Sequence, residues 1–243
     1  MNLNDLLNDP PKPHEDAQGS SIVWGLTPAA LSFIFENVDD QCATLETGCG
    51  MSTVVFALKG SRHTVIAPAP SEFEITKIYC RERGIPTSQI NFIAEPSQTV
   101  LPALESGPLD LVLIDGGHGF PTPYIDWFFT AGKLKKGGLL IVDDVGLWSC
   151  QILRDFLIEQ PHWEFVTEYD ERTIVFRKKE DGSEWLEWTQ QPRVARGGKV
   201  KWVDGQLIVE TPQSGSFERA LGDLRNGNFK SLARKVGRRV LRS

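Results

Sequence analysis

The sequence predicts a doubly wound α/β fold: a mostly parallel, seven-stranded sheet with helices on both faces and a reversed last strand. Three observations predict it. Short runs dense in Val, Ile and Leu alternate with stretches of helical apolar spacing along residues 27–180. Two of these runs, Leu109–Asp115 and Gly138–Asp143, are apolar on both faces, as strands covered on both sides must be. The series then ends in His162–Tyr169 and Thr173–Lys178, separated only by Asp170-Glu171-Arg172, a spacing that only an antiparallel hairpin satisfies. Right-handed crossovers make the doubly wound sandwich the natural arrangement of such a chain.

Residues 1–21 are rich in Pro, Asp and Asn and show no apolar period, which predicts a loosely draped, flexible arm. Thr27-Pro28 is a helix start, with Thr27 as N-cap and Pro28 in the first helical position; Leu31, Ile34, Phe35 and Val38 follow at helical spacing. Ala43–Glu46 reads as the first sheet strand. After it come Gly48 and Gly50, and a helix that starts near Ser52 or Thr53. His63–Ala67 is the next strand, and Ser71–Arg83 a helix with Ser71 as cap and Glu74 as its capping-box partner. Strand Ile90–Ala94, helix Gln98–Leu104, strand Leu109–Asp115, helix Tyr124–Lys133, strand Gly138–Asp143 and helix Trp148–Glu159 complete the alternation. This domain occupies residues 22–180. Residues 181–213 form an appended region with a hairpin, Lys199–Val203 and Gln206–Glu210, around Asp204-Gly205. Residues 214–243 carry two helical patterns, Phe217, Leu221 and Leu224, then Phe229, Leu232, Val236 and Val240.

With 243 residues, 40% hydrophobic and 24% charged, the composition is that of an ordinary globular protein. Met1-Asn-Leu-Asn-Asp-Leu-Leu lacks the basic-then-apolar pattern of a secretion signal, and no apolar run reaches the length of a membrane span, which predicts a cytoplasmic protein. Cys42, Cys49, Cys80 and Cys150 make no Cys-x-x-Cys pair, so neither a disulfide framework nor a cysteine zinc site is expected. The net charge of -6 hides an asymmetry: Arg225–Ser243 holds Arg225, Lys230, Arg234, Lys235, Arg238, Arg239 and Arg242 and no acid. Such a basic amphipathic tail suits an anionic membrane surface at the inner face of the membrane. It equally suits packing on its own domain or on a second subunit; nucleic acid is the least favoured partner.

The strand–glycine loop–helix of residues 43–57 has the makings of a nucleotide-like site. Gly48 and Gly50 would bring the main chain close to a ligand, and the free amides of a helix start favour an anionic group. In an open α/β sheet the ligand crevice lies at the carboxyl ends of the strands, and Glu46, Asp115, Asp143 and Asp144 all stand at such ends. Carboxylates buried together need a cation or a donor-rich ligand to compensate them.

Three segments carry a resemblance: Glu46-Thr-Gly-Cys-Gly-Met-Ser52, Leu111-Val-Leu-Ile-Asp-Gly-Gly-His118 and Leu134-Lys-Lys-Gly-Gly-Leu-Leu-Ile-Val-Asp-Asp144. From about Val38 to Lys179 the chain resembles the class I S-adenosylmethionine-dependent methyltransferases, and within them the O-methyltransferases of sugars and other small molecules. The resemblance implies S-adenosylmethionine as cofactor and a small-molecule or glycan acceptor. It puts Glu46, Gly48, Gly50, Ser52, Thr53, Glu95 and Asp115 at the cofactor, and Asp115 and His118 at the reacting centre. His118 would take the acceptor's proton, since an imidazole can act as a general base; the alternative is a cap on the following helix or a bond to the loop backbone. A divalent cation such as Mg on Asp115, Asp143 and Asp144 is implied too, alongside hydrogen bonds from those carboxylates to cofactor and acceptor. Neighbouring strand residues face opposite sides, so Asp143 and Asp144 converge only if the chain has left the strand. Phe120, Tyr124 and Trp127 either wall the acceptor pocket or belong to the core.

The chain departs from that family in two places. A carboxylate for the ribose hydroxyls is expected at the end of the second strand, roughly 20 residues past the glycine loop, and Val65-Ile-Ala67-Pro68 has none. The third strand ends in Ala94-Glu95-Pro96, with Glu95 one position from the register of an adenine-reading acid. Two readings therefore stand: a methyltransferase, and a methyltransferase-like fold that binds a ligand or partner without methyl transfer. A nicotinamide dehydrogenase is disfavoured, since Gly48-x-Gly50-x-x-Thr53 lacks the third glycine of the dinucleotide fingerprint. Oligomeric state stays open, a homo-oligomer included.

Overall fold

The computed structural model describes residues 1–15, 18–181, 186–196, 199–203 and 206–210. Residues 1–186 form one compact unit and residues 187–243 a second. The elements of the first are α1 (Leu3–Asn8), β1 (His14–Glu15), β2 (Ser21–Ile22), α2 (Pro28–Asn37), β3 (Ala43–Thr47), α3 (Met51–Lys59), β4 (Arg62–Ile66), α4 (Pro70–Glu82), β5 (Ile90–Ile93), α5 (Ser97–Val100), β6 (Leu109–Ile114), α6 (Thr122–Ala131), β7 (Leu134–Val142), α7 (Trp148–Ile158), β8 (Trp163–Tyr169) and β9 (Thr173–Lys178). In the second unit, a short 3₁₀ turn at Trp188–Gln190 and α8 (Pro192–Arg196) precede the expected hairpin of β10 (Lys199–Val203) and β11 (Gln206–Glu210). The basic tail lies outside the described residues. Among the described residues no helix is long and apolar enough to cross a membrane.

The sheet has seven strands in the order β5-β4-β3-β6-β7-β9-β8. β3 to β7 pair in parallel, and β9 runs antiparallel to both β7 and β8. The reversed last strand thus inserts between its neighbours instead of adding at the edge. β3 is flanked by β4 on one side and β6 on the other, which makes it the switch point where strand order reverses and a crevice opens.

Alternation along the central strands builds the two cores. Leu111 and Leu113 of β6 face α2, α3 and α4 with Leu31, Val55 and Cys80, while Val112 and Ile114 face α6 and α7 with Trp127, Ala131 and Leu153. Both sets are buried, which is why β6 reads as a continuous apolar run.

The arm expected to drape loosely is tied down. Asn2 caps α1, Leu6 is fully buried in the first core beside Leu26 and Leu31, and the Tyr79 hydroxyl donates to the Asp9 carbonyl at 2.6 Å. Asp9 also pairs with Arg83, whose guanidinium lies 3.8 Å over the Tyr79 ring. Leu3 and Leu7 pack beside Leu6 on the same core, but six residues hold only one repeat of that spacing, too little to stand out along the sequence.

Thr27 caps α2 as expected, its side chain accepting from Ala30. The cap expected at Ser71 is not formed: α4 starts one residue earlier, with Pro70 in the first turn and Ala69 at the N-cap. Proline's fixed φ and missing N–H suit the first helical position, which moves Ser71 inside the helix. Glu74, the expected capping partner, pairs with Lys77 at 2.9 Å instead.

Candidate active site

A cleft of about 720 Å³ opens at the carboxyl ends of the parallel strands. Its floor is the β3–α3 loop from Thr47 to Ser52. Ile66, Ala67 and Pro68 come from the end of β4, Asp115 to His118 from the end of β6, and Asp144 from beyond β7. Arg172 reaches in from the β8–β9 turn, and His14, Val23 and Trp24 from the N-terminal ribbon.

Gly48 and Gly50 are not equivalent. Gly48 has φ +94°, and a Cβ there would overlap the Asp115 carbonyl oxygen and lie 2.9 Å from its carbon. Its N–H donates to Ile66 at 2.9 Å while Asp115 N–H donates to Thr47 at 3.1 Å, so the loop is sewn to the ends of β4 and β6. Gly50 is extended, with φ -175°, and donates to the Thr53 hydroxyl at 3.1 Å.

Glu46, expected at the cofactor, faces inward and is buried. Its carboxylate accepts from Ser52 Oγ at 2.6 Å and from Thr53 Oγ1, and His63 Nε2 stands 3.1 Å away. The His63 ring stacks on Phe56 with centroids 4.1 Å apart, and its Nδ1 bonds Thr44 Oγ1 at 2.9 Å. Glu46 therefore fastens the start of α3 to the sheet beneath the loop, and it does not line the cleft. Ser52 lines it; Thr53 is buried under it. Cys49 also lines the cleft, but burial, followed by the Glu46 charge, pushes its thiol up to about 12, so it stays neutral.

The acids beyond β6 and β7 separate into two roles. Asp143 is fully buried, accepts from Arg172 Nη2 at 2.9 Å and from Thr173 Oγ1, and does not line the cleft. Asp144 has already left the strand, with φ +53°, and faces the cleft. Arg172 Nε lies 2.9 Å from Asp144 Oδ1, so one guanidinium spans both acids. Asp115 completes the group: burial first, then the charges of Asp143, Glu46 and Asp144, hold its carboxyl well above the usual carboxylate range, against the pull of Arg172.

His118 Nε2 stands 3.4 Å from Asp144 Oδ2 and makes no hydrogen bond. Its carbonyl accepts from Ser149 Oγ, which holds the loop to α7. Ligand atoms of Asp115, His118 and Asp144 all lie within 4.8 Å of one another. Two carboxylates and an imidazole nitrogen without a partner, set where three acids face one guanidinium, fit a divalent cation. The set includes His118 in place of Asp143, whose oxygens are taken by Arg172 and Thr173.

Glu95 is exposed and stands off the cleft; Ser97, two residues on, lines it. Ala67 and Pro68 line the cleft without a carboxylate, as the sequence reads. Trp127 is core, Tyr124 is half-buried with its hydroxyl on the Ile152 carbonyl at 2.9 Å, and Phe120 is exposed beside Trp148, centroids 5.5 Å apart. Arg172, His14, Trp24 and Glu72 are cleft residues that sequence reasoning missed. Arg172 sits in what reads as an ordinary turn, and only its position opposite Asp143-Asp144 reveals a role. His14 and Glu72 belong to segments with no motif, and no local signal marks them.

The sheet order and the crevice at its switch point are those of the class I methyltransferase fold, and the chain has that fold. Residues 45–145, which contain the glycine loop, Asp115, His118 and Asp144, match the family model described as a methyltransferase domain. A 76-residue stretch is 28% identical to the catechol O-methyltransferase of Mycobacterium tuberculosis, covering 31% of this chain and about a third (33%) of that protein's length. Among solved structures, the cofactor-bound Rv0187 from MTB superposes with a TM-score of 0.56 at 17% identity, over 65% of this chain and 83% of that one. The O-methyltransferase TomG from Streptomyces achromogenes, in complex with SAM, superposes with a TM-score of 0.54 at 14% identity, over 64% and 82% of the two chains.

Proposed function

We propose that the protein is an S-adenosylmethionine-dependent methyltransferase that acts on a hydroxyl of a small molecule, a sugar or similar polyol among the candidates. The observation that carries this reading is His118 Nε2, without a hydrogen-bond partner, beside Asp144 in a cleft floored by the tight Gly48 loop. A cleft of about 720 Å³ suits a nucleoside-sized cofactor together with part of an acceptor. The acceptor hydroxyl gives its proton to His118 Nε2 as its oxygen attacks the methyl carbon. S-adenosylmethionine held over the Gly48 loop would supply the electrophilic methyl group, its sulfonium sulfur leaving as a neutral thioether. Asp144 stabilises the imidazolium that forms, and Arg172 holds Asp144 in place. Asp115 faces the same centre.

The donor set of Asp115, His118 and Asp144 favours a second version of the site. A divalent cation held there would supply Lewis-acid polarisation of the acceptor hydroxyl. His118 can serve as ligand or as base, not both at once. Calorimetry with S-adenosylhomocysteine, with and without magnesium, tests the whole reading. Binding that Gly48→Val abolishes is expected, and no binding to the wild type at millimolar ligand refutes the enzyme and favours a fold used for another ligand or partner. On an identified acceptor, His118→Ala should cut turnover by about 10²-fold or more with cofactor affinity nearly intact; unchanged turnover dismisses the base. As for the basic tail, deletion after Gly227 should release the protein from anionic vesicles, and a full-length chain that never binds them ends that idea.

A further inference from the structure

The cleft lacks the acid expected at Ala67, yet a carboxylate stands on that side. Glu72, in the first turn of α4, lines the cleft with Ala67 and Pro68. Of the acids lining the cleft, Asp115 and Asp144 cluster with His118 at the far strands, which leaves Glu72 alone on the β4 side. Its position is set by the helix start, where Glu72 N–H donates to the Ala69 carbonyl at 3.2 Å. His14 Nδ1 lies 3.4 Å from Glu72 Oε1, and the His14 ring stacks on Trp24 with centroids 5.4 Å apart. His14 and Glu72 are largely covered, at 13% and 21% side-chain exposure. The pair also borders the glycine loop: a Cβ on Gly50 would lie 3.8 Å from His14 Nε2.

Resting on the cofactor reading above, we propose that Glu72 receives the vicinal ribose hydroxyls of the bound nucleoside, and that His14 from the N-terminal ribbon positions it. A carboxylate has two acceptor oxygens at a spacing that matches two neighbouring hydroxyls, and Ile66, Ala67 and Pro68 on that wall offer no side-chain acceptor. The acid stands at the helix start, five positions beyond the strand-end residue Ala67. The arm thereby becomes part of the site.

The test is calorimetry with two probes, S-adenosylhomocysteine and its 2′,3′-dideoxy analogue, on wild type, Glu72→Gln and His14→Ala, each checked for an unchanged thermal midpoint. The wild type should prefer the diol-bearing probe by about ten- to a hundredfold. Glu72→Gln should lose roughly tenfold or more on that probe and stay within about threefold on the dideoxy analogue, so that the preference collapses. His14→Ala should lower the preference in the same direction by a smaller factor. Equal losses on both probes, or no loss on either, overturn the assignment while leaving the cofactor reading intact. A wild type that binds neither probe overturns both.

Discussion

Replacing Gly48 with alanine should cost far more than the same change two residues on, and the structure says why. At φ +94° an alanine pays about 1 kcal/mol for the left-handed backbone. Its Cβ would overlap the Asp115 carbonyl oxygen, which is main chain and cannot swing aside. Relief requires lengthening the Gly48–Ile66 bond at 2.9 Å or the Asp115–Thr47 bond at 3.1 Å, at about 0.5 to 1.5 kcal/mol each. Alanine's smaller unfolded-state entropy returns about 0.4 to 1 kcal/mol. The balance is a loss of roughly 1 to 3 kcal/mol, or about 2 to 10 °C in midpoint for a chain of this size. Gly50, at φ -175°, needs no such conformation, and its Cβ would sit 3.4 Å from the Trp24 carbonyl oxygen. Gly50→Ala should stay within about 0.5 kcal/mol. Urea unfolding of both variants against wild type reads the difference. Equal costs at the two positions, or a Gly48→Ala variant within error of wild type, would refute the account of the loop.

Two further tests probe the scaffold. Asp126 is wholly buried beside Ser97 and Thr47, and burial pushes its carboxyl up to about 6, against those hydroxyls. A folded-state value above the unfolded one means that its contribution is full below about pH 4 and is lost as pH rises through about 6. Asp126→Asn should therefore gain about 2 to 3 kcal/mol over wild type at pH 8 and lose that advantage near pH 4. Parallel urea-stability curves for the two proteins from pH 4.5 to 8 would show that Asp126 does not titrate as its burial implies. Leu6→Ala should cost about 2 to 4 kcal/mol and raise hydrogen exchange across residues 3–9, because Leu6 is fully buried. An unchanged midpoint with unchanged exchange would mean that α1 is not packed on the core.

How much was legible follows from what each feature depends on. The doubly apolar strands β6 and β7 could be read locally, because a strand covered on both faces has no polar side to show. The hairpin of β8 and β9 was legible from the shortness of its connection, yet its place between β7 and the edge was not, since no local pattern encodes which strand a hairpin joins. Glu46 was recognised as a residue that matters, but its direction was not legible: strand alternation assigns a face, and the facing Ser52, Thr53 and His63 decide whether the carboxylate meets ligand or scaffold. The same holds for Asp143 and Asp144, whose divergence depends on one left-handed residue and on Arg172 across the turn.

By itself the sequence determined the α/β class, the glycine loop at the switch strand, and the set of acids and the histidine that converge beyond β6 and β7. Those rest on periodicity and on short segments, where hydrophobic burial and backbone sterics act between near neighbours. Only the tertiary structure decided which acids face the cleft, that Arg172 bridges two of them, and that the N-terminal arm brings His14 to Glu72. Those pairings join residues from separate elements. Charge and hydrogen-bond partners act over a few ångströms in space, whatever their distance along the chain.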